Sequence, residues 1–144
     1  METSWSFRPC ATAGLGGLAE RAFAAAAPGD SLFQILGVVF GSALGSNVIN
    51  NVPMTVLSLG TMEPLVHGGT LGVAAVYAVV VGTSIGPNLT TVGSLATLIW
   101  LSIARGRGLD ITAKDYLKIG AIATPPILLA AALGLWVSVR LLGL

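Results

Sequence analysis

Two clusters of uncharged polar side chains carry the most distinctive chemistry of this sequence. Ser46, Asn47, Asn50 and Asn51 stand in Gly45-Ser46-Asn47-Val48-Ile49-Asn50-Asn51-Val52-Pro53. Asn88, Thr90, Gly93 and Ser94 stand in Gly86-Pro87-Asn88-Leu89-Thr90-Thr91-Val92-Gly93-Ser94. Carboxamides and hydroxyls donate and accept hydrogen bonds without a permanent charge. With glycine and proline beside them they suit a binding site at broken backbone, where freed amides face an anion or a hydroxyl and freed carbonyls face a cation or a donor. Enzymatic chemistry is not indicated. The chain has one histidine, no acidic pair on a common face, no metal-ligand spacing and no phosphate-binding glycine loop. Gly14-Leu15-Gly16-Gly17-Leu18 follows no predicted strand. No catalytic residue and no metal ligand is therefore expected.

The clusters lie in strongly apolar surroundings. Of 144 residues 54% are hydrophobic and 9% charged, against about 25% charged in a soluble domain, and the mean hydropathy is +0.88. From Ser31 to Ala104 the one formally charged side chain is Glu63, with His67 close by. This is the composition of a membrane protein, with the lipid bilayer as its first partner. A net charge of +1 argues against nucleic acid. The single cysteine, Cys10, excludes an intrachain disulfide framework and a thiolate metal cage.

Several elements are needed to position the clusters. Residues 1–30 read as an N-terminal segment, a disordered start at 1–12 and then a short interfacial helix or the tail of a longer span, and Asp30 or Ser31 is an N-cap for the next element. Residues 32–44 are too few to span a bilayer as a helix, and Pro53 pushes Val52 out of helix. A polar tip between two half-length helices predicts a re-entrant hairpin over 31–62; a single kinked helix over 32–60 is the competing reading. Glu63-Pro64-Leu65-Val66-His67-Gly68-Gly69 reads as a turn. Residues 70–104 are longer than one span needs, so a helix broken at Ser84 to Thr91 is expected. Four of the seven basic residues fall between 105 and 118, which places the loop 105–115 in the cytoplasm. A last helix over 116–143, kinked or started by Pro125-Pro126, carries Trp136 and Arg140 near its far interface.

Each polar residue also has a purely structural reading. Asn and Ser in membrane helices serve as interhelical hydrogen-bonding groups, and Gly41, Gly45, Gly72, Gly82 and Gly93 permit close packing. Trp100 and Trp136 suit interfaces. Glu63 and His67 are candidate proton carriers, but a turn setting makes them solvated loop residues and leaves no buried carboxylate for proton antiport.

Ser46-Asn47-Val48-Ile49-Asn50-Asn51-Val52-Pro53, together with Gly86 to Trp100 further along, resembles the C-terminal part of the arsenite permeases. These are the arsenical pump membrane proteins of the ion transporter superfamily, which also holds sodium–dicarboxylate symporters. The resemblance covers residues 31 to 143 and is strongest at Gly93-Ser94-Leu95-Ala96-Thr97-Leu98-Ile99-Trp100; Thr91 stands where the family usually has proline, and residues 1–12 do not match. It implies an all-α membrane protein in which the re-entrant hairpin, a discontinuous transmembrane helix and a final transmembrane helix form half of an inverted-repeat transporter. The first repeat is not among these residues.

The resemblance further implies multi-pass insertion in the plasma membrane and efflux of arsenite or antimonite. Coupling would be to H+ or Na+ rather than a cofactor, or to an arsenic-dependent ATPase subunit, and homodimerisation stays open. Its site residues carry over to Ser46, Asn47, Asn50 and Asn51 at the tip and to Asn88, Thr90, Gly93 and Ser94 in the second break. Two alternatives stand beside it: a sodium-coupled dicarboxylate carrier, and a non-transporting membrane subunit or inactive fragment.

Overall fold

The structure, a computed structural model, describes residues 31–69 and 71–142 together with residue 21. The readings made on residues 1–30 lie outside it, apart from residue 21. Five α-helices and one 3-10 turn account for almost all of the described chain, which contains no strand.

Helix α1 (Leu32–Ile49) starts at Ser31, whose Oγ accepts the Gln34 N–H at 3.2 Å. It does not stop where the apolar run stops at Leu44. Ser46 Oγ and Asn47 Nδ2 both donate to the Ala43 carbonyl at 2.7 Å, so the helix absorbs their polarity and continues to Ile49. With 18 residues α1 is long and apolar enough to cross a membrane, which corrects the expectation drawn from residues 32–44 alone.

One residue separates α1 from α2 (Asn51–His67): Asn50, at φ 76° and ψ 157°. Pro53 falls in the first turn of α2, where a missing N–H costs nothing. Val52 is therefore helical, contrary to the expectation that Pro53 would exclude it. The two helices pack on each other on either side of Asn50, with Met54 against Gly45. The segment Glu63 to His67 is helical too, not a turn. Its stop comes from Gly68-Gly69: Gly69 has φ 71° and donates to the Val66 carbonyl at 3.0 Å, the left-handed glycine ending of a helix.

Helix α3 (Val73–Ile85) leads into a 3-10 turn (Gly86–Leu89), a non-helical stretch at 90–94, and α4 (Leu95–Gly106). The expected break is present, shifted by two to three residues toward the C-terminus, over 86–94 in place of 84–91. After a loop at 107–112 comes α5 (Ala113–Leu142). It begins before residue 116 because Thr112 caps it: the Asp115 N–H donates to Thr112 Oγ1 at 3.2 Å, and Thr112 Oγ1 donates to Asp115 Oδ2 at 2.5 Å. Pro125 and Pro126 lie inside α5 and neither starts nor stops it. Among the described residues α1 and α5 are the helices long and apolar enough to span a membrane.

The core is the α1–α3 interface, extended by α2 and α5. On α1, Ile35, Val39 and Ala43 recur every fourth residue; on α3 the stripe is Ala74, Ala78, Gly82 and then Gly86 at the break. All are buried. Small residues four apart let two helix backbones approach closely. A Cβ on Gly82 would collide with Ser42 Oγ and the Val39 carbonyl, and one on Gly86 with the Ala43 backbone. The partners pair Val39 with Gly82 and Ala43 with Gly86, so the two helices run parallel. Helix α4, by contrast, packs loosely; Trp100–Tyr116, with ring centroids 6.5 Å apart, ties it to α5.

Candidate functional site

Asn47 is the next member of the α1 stripe, and its side chain reaches the second break. Nδ2 donates to the Gly86 carbonyl at 2.8 Å as well as to Ala43 within α1. Oδ1 accepts the Thr90 N–H at 3.1 Å and the Thr90 hydroxyl at 2.7 Å. A carboxamide offers two donors and two acceptor lone pairs, so Asn47 has no free valence. It fastens Gly86, the first residue of the 3-10 turn, and Thr90, just after it, to one point on α1.

The tip of the α1–α2 pair is held to the same break through backbone. The Asn51 N–H donates to the Gly93 carbonyl at 3.2 Å. Gly93 is buried, and a Cβ there would sit 2.8 Å from Asn47 Oδ1 and 2.8 Å from Pro87 Cα. The next residue, Ser94, caps α4 by accepting the Ala96 N–H at 3.2 Å. The N-terminus of α2 and that of α4 therefore meet at one place. Helix N-termini present unpaired N–H groups and the positive end of the helix dipole. No charged side chain stands between residues 45 and 53 or between 85 and 100, so neither break contributes a charge of its own.

The eight residues expected from sequence separate into distinct roles. Ser46 is buried and its hydroxyl is spent on Ala43. Asn47 and Thr90 bond each other, Gly93 allows the close approach, and Ser94 is a helix cap. Asn50 and Asn51 flank the tip; Asn51 Oδ1 accepts the Val52 N–H at 2.9 Å. Asn88 is exposed and belongs to a different place. It lines a cavity of about 490 Å³ between the break, α4 and α5, which no tip residue lines.

Sequence reasoning gave α5 no part in the site, yet Gly120 packs directly on the 3-10 turn. A Cβ there would lie 2.5 Å from the Asn88 carbonyl oxygen and 2.9 Å from that of Leu89. The available signal was a glycine inside an otherwise good helix, which marks a close backbone approach.

Comparison with known proteins gives a consistent result. The family model for the arsenical pump membrane protein matches residues 8–139, so the family alignment begins ahead of the 31–143 stretch that carries the resemblance. An arsenical pump membrane protein of Escherichia coli is 37% identical over 108 residues, covering 74% of this chain and 25% of that protein. One from Yersinia enterocolitica is 36% identical over 112 residues, covering 76% and 26%. An uncharacterized transporter of Mycobacterium tuberculosis is 35% identical over 111 residues, covering 72% and 24%. The chain thus spans about a quarter of the length of these relatives. No solved structure matches.

Proposed function

Because the chain belongs to the arsenical pump membrane protein family, we propose that it forms part of a plasma-membrane, multi-pass permease that exports arsenite or antimonite. In this reading α1 and α2 are a re-entrant hairpin around Asn50, α3 and α4 are one discontinuous transmembrane helix, and α5 is the final span. The substrate sits where the Asn50–Asn51 tip meets the break at Thr90–Ser94. The observation that carries the reading is the junction built by Asn47, Thr90, Asn51 and Gly93, which joins two helix breaks without any charged side chain.

The chemistry of the substrate matches such a junction. Arsenite at neutral pH is an uncharged trihydroxide, so it needs hydrogen-bond partners and no counter-charge. Free N–H groups in the first turn of α4 and the carboxamides of Asn50 and Asn51 supply them. Asn47 and Thr90 hold the frame. Coupling to H+ or Na+, the remaining elements of the fold, a second copy and any ATPase subunit complete the machine in this proposal.

The test uses cells whose arsenite resistance depends on the permease. Asn51→Ala should lower resistance at unchanged abundance in the membrane, because its effect falls on the open face of the junction. Normal resistance in that variant removes the site. Sodium-dependent uptake of a dicarboxylate, with arsenite sensitivity unaffected by expression, would replace the substrate class instead. Normal arsenite sensitivity without any transport would place the chain among non-transporting subunits.

A further inference from the structure

The cavity beside Asn88 has an organisation of its own. It encloses about 490 Å³ and runs from the 3-10 turn to the loop that joins α4 to α5. Its inner end is polar, with Asn88 and with Thr124, which is 1% exposed. Hydroxyls elsewhere in the helices, those of Ser42, Thr83 and Ser138, bond back to carbonyls of their own helix. Thr124 makes no such bond among the described residues, and it lines the cavity. The walls are Trp100, Tyr116 and isoleucines, and the outer end carries Asp110 and Asp115.

The loop is basic as a whole, but the sorting of charge within it is sharp. Arg105 is turned onto the Ile111 carbonyl, with Nη2 at 3.1 Å and Nε at 3.3 Å. Neither Arg105 nor Arg107, Lys114 or Lys118 lines the cavity; both charged residues that do are acids. Carboxylates accept hydrogen bonds from O–H donors and repel anions. A solute that carries several hydroxyls and no charge finds acceptors at the outer end, an apolar and aromatic passage, and a hydroxyl and a carboxamide at the inner end.

We infer that this cavity is a route and holding site for uncharged hydroxylated solutes on the loop side of the break, and that Asp110 and Asp115 exclude anions from it. The identity of the solute rests on the transporter reading; the exclusion of anions does not, and is measurable without transport.

Trp100 lines the cavity and serves as the probe. In the Trp5→Phe, Trp136→Phe background, reconstituted in neutral lipid, its fluorescence is quenched by acrylamide, which is uncharged, and by iodide. Two carboxylates lining the same cavity as the ring lower iodide access relative to acrylamide by about threefold. Asp110→Asn with Asp115→Asn brings the two quenchers to parity, and Asp110→Asn alone, which leaves the Thr112–Asp115 cap untouched, moves part of the way. Antimonite, the uncharged trihydroxide, shields Trp100 from acrylamide, and Thr124→Val weakens that shielding while iodide exclusion persists. Equal quenching in the parent protein, or an unchanged ratio in the double variant, overturns anion exclusion. Failure of antimonite to shield Trp100 overturns the holding site even where arsenite resistance is intact.

Discussion

Asn47 Oδ1 lies 3.1 Å from the Thr90 amide nitrogen and 2.7 Å from the Thr90 hydroxyl, and so joins the end of α1 to the second break across 43 residues of chain. Both polar atoms of the Asn47 carboxamide are fully occupied, which makes this residue a fastener and not an open ligand. Asn47→Ala strands the Gly86 carbonyl and the Thr90 N–H. Leaving a buried polar group unpaired costs about 1–3 kcal/mol, so this variant should lose thermal stability and membrane abundance together. Asn47→Asp keeps the acceptor but sets a carboxylate oxygen against the Ala43 and Gly86 carbonyls, so it should lose at least as much stability as Asn47→Ala. A melting temperature unchanged in Asn47→Ala would make Asn47 a free ligand again.

The glycines divide into two groups that alanine substitution should separate. Gly82, Gly86, Gly93 and Gly120 face backbone or fixed polar atoms that leave no room for a Cβ, whereas Gly41, Gly60, Gly106 and Gly134 have open space around that position. In the first group alanine forces helices apart, at about 1–3 kcal/mol each. In the second it removes the helix penalty of glycine and adds up to about 1 kcal/mol of stability. Thermal unfolding of the eight single variants in detergent checks the split. A destabilised Gly41→Ala or a neutral Gly86→Ala would contradict the α1–α3 packing.

Much of this architecture was legible in the sequence, because a polar break in an apolar tract is a strong signal. The break after Ile85 and the residues Asn47, Thr90 and Gly93 were found that way. What sequence reasoning could not see were side chains that satisfy backbone locally. Ser46 and Asn47 bond to Ala43 and so extend α1 past the apolar run, and a cap at Thr112 starts α5 early. Pro53 misled, because it fits a first turn; Pro125-Pro126 do not start the last helix but are carried inside it. Distances between elements were equally hidden. Nothing in the spacing of Asn88 and Gly120 announces that one lies against the other.

Asn50 occupies backbone that only glycine adopts without strain, at φ 76° and ψ 157°. Such strain costs about 1–3 kcal/mol. Asn50→Gly should therefore raise the melting temperature, the reverse of the usual effect of glycine, and Asn50→Val should lower it by more than a surface substitution would. If the Asn50 carboxamide also binds substrate, as proposed, Asn50→Gly is more stable and yet transports less. A variant that is both less stable and less active would mean that the side chain, not the backbone, holds the tip.

Asp115 has two duties that variants can pull apart. It completes the cap of α5 with Thr112, and its carboxylate stands at the outer end of the cavity beside Asn88. Thr112→Ala removes the capping hydroxyl and leaves the charge; losing an N-cap costs about 1 kcal/mol. Asp115→Asn removes the charge and keeps a side-chain oxygen that can accept from Thr112. The expected pattern is a crossed one. Thr112→Ala lowers the melting temperature while Trp100 stays shielded from iodide, and Asp115→Asn admits iodide to Trp100 with little change in melting. If both variants shift both readouts alike, the cap and the cavity are one structural unit, and the carboxylate excludes anions only by keeping α5 in place.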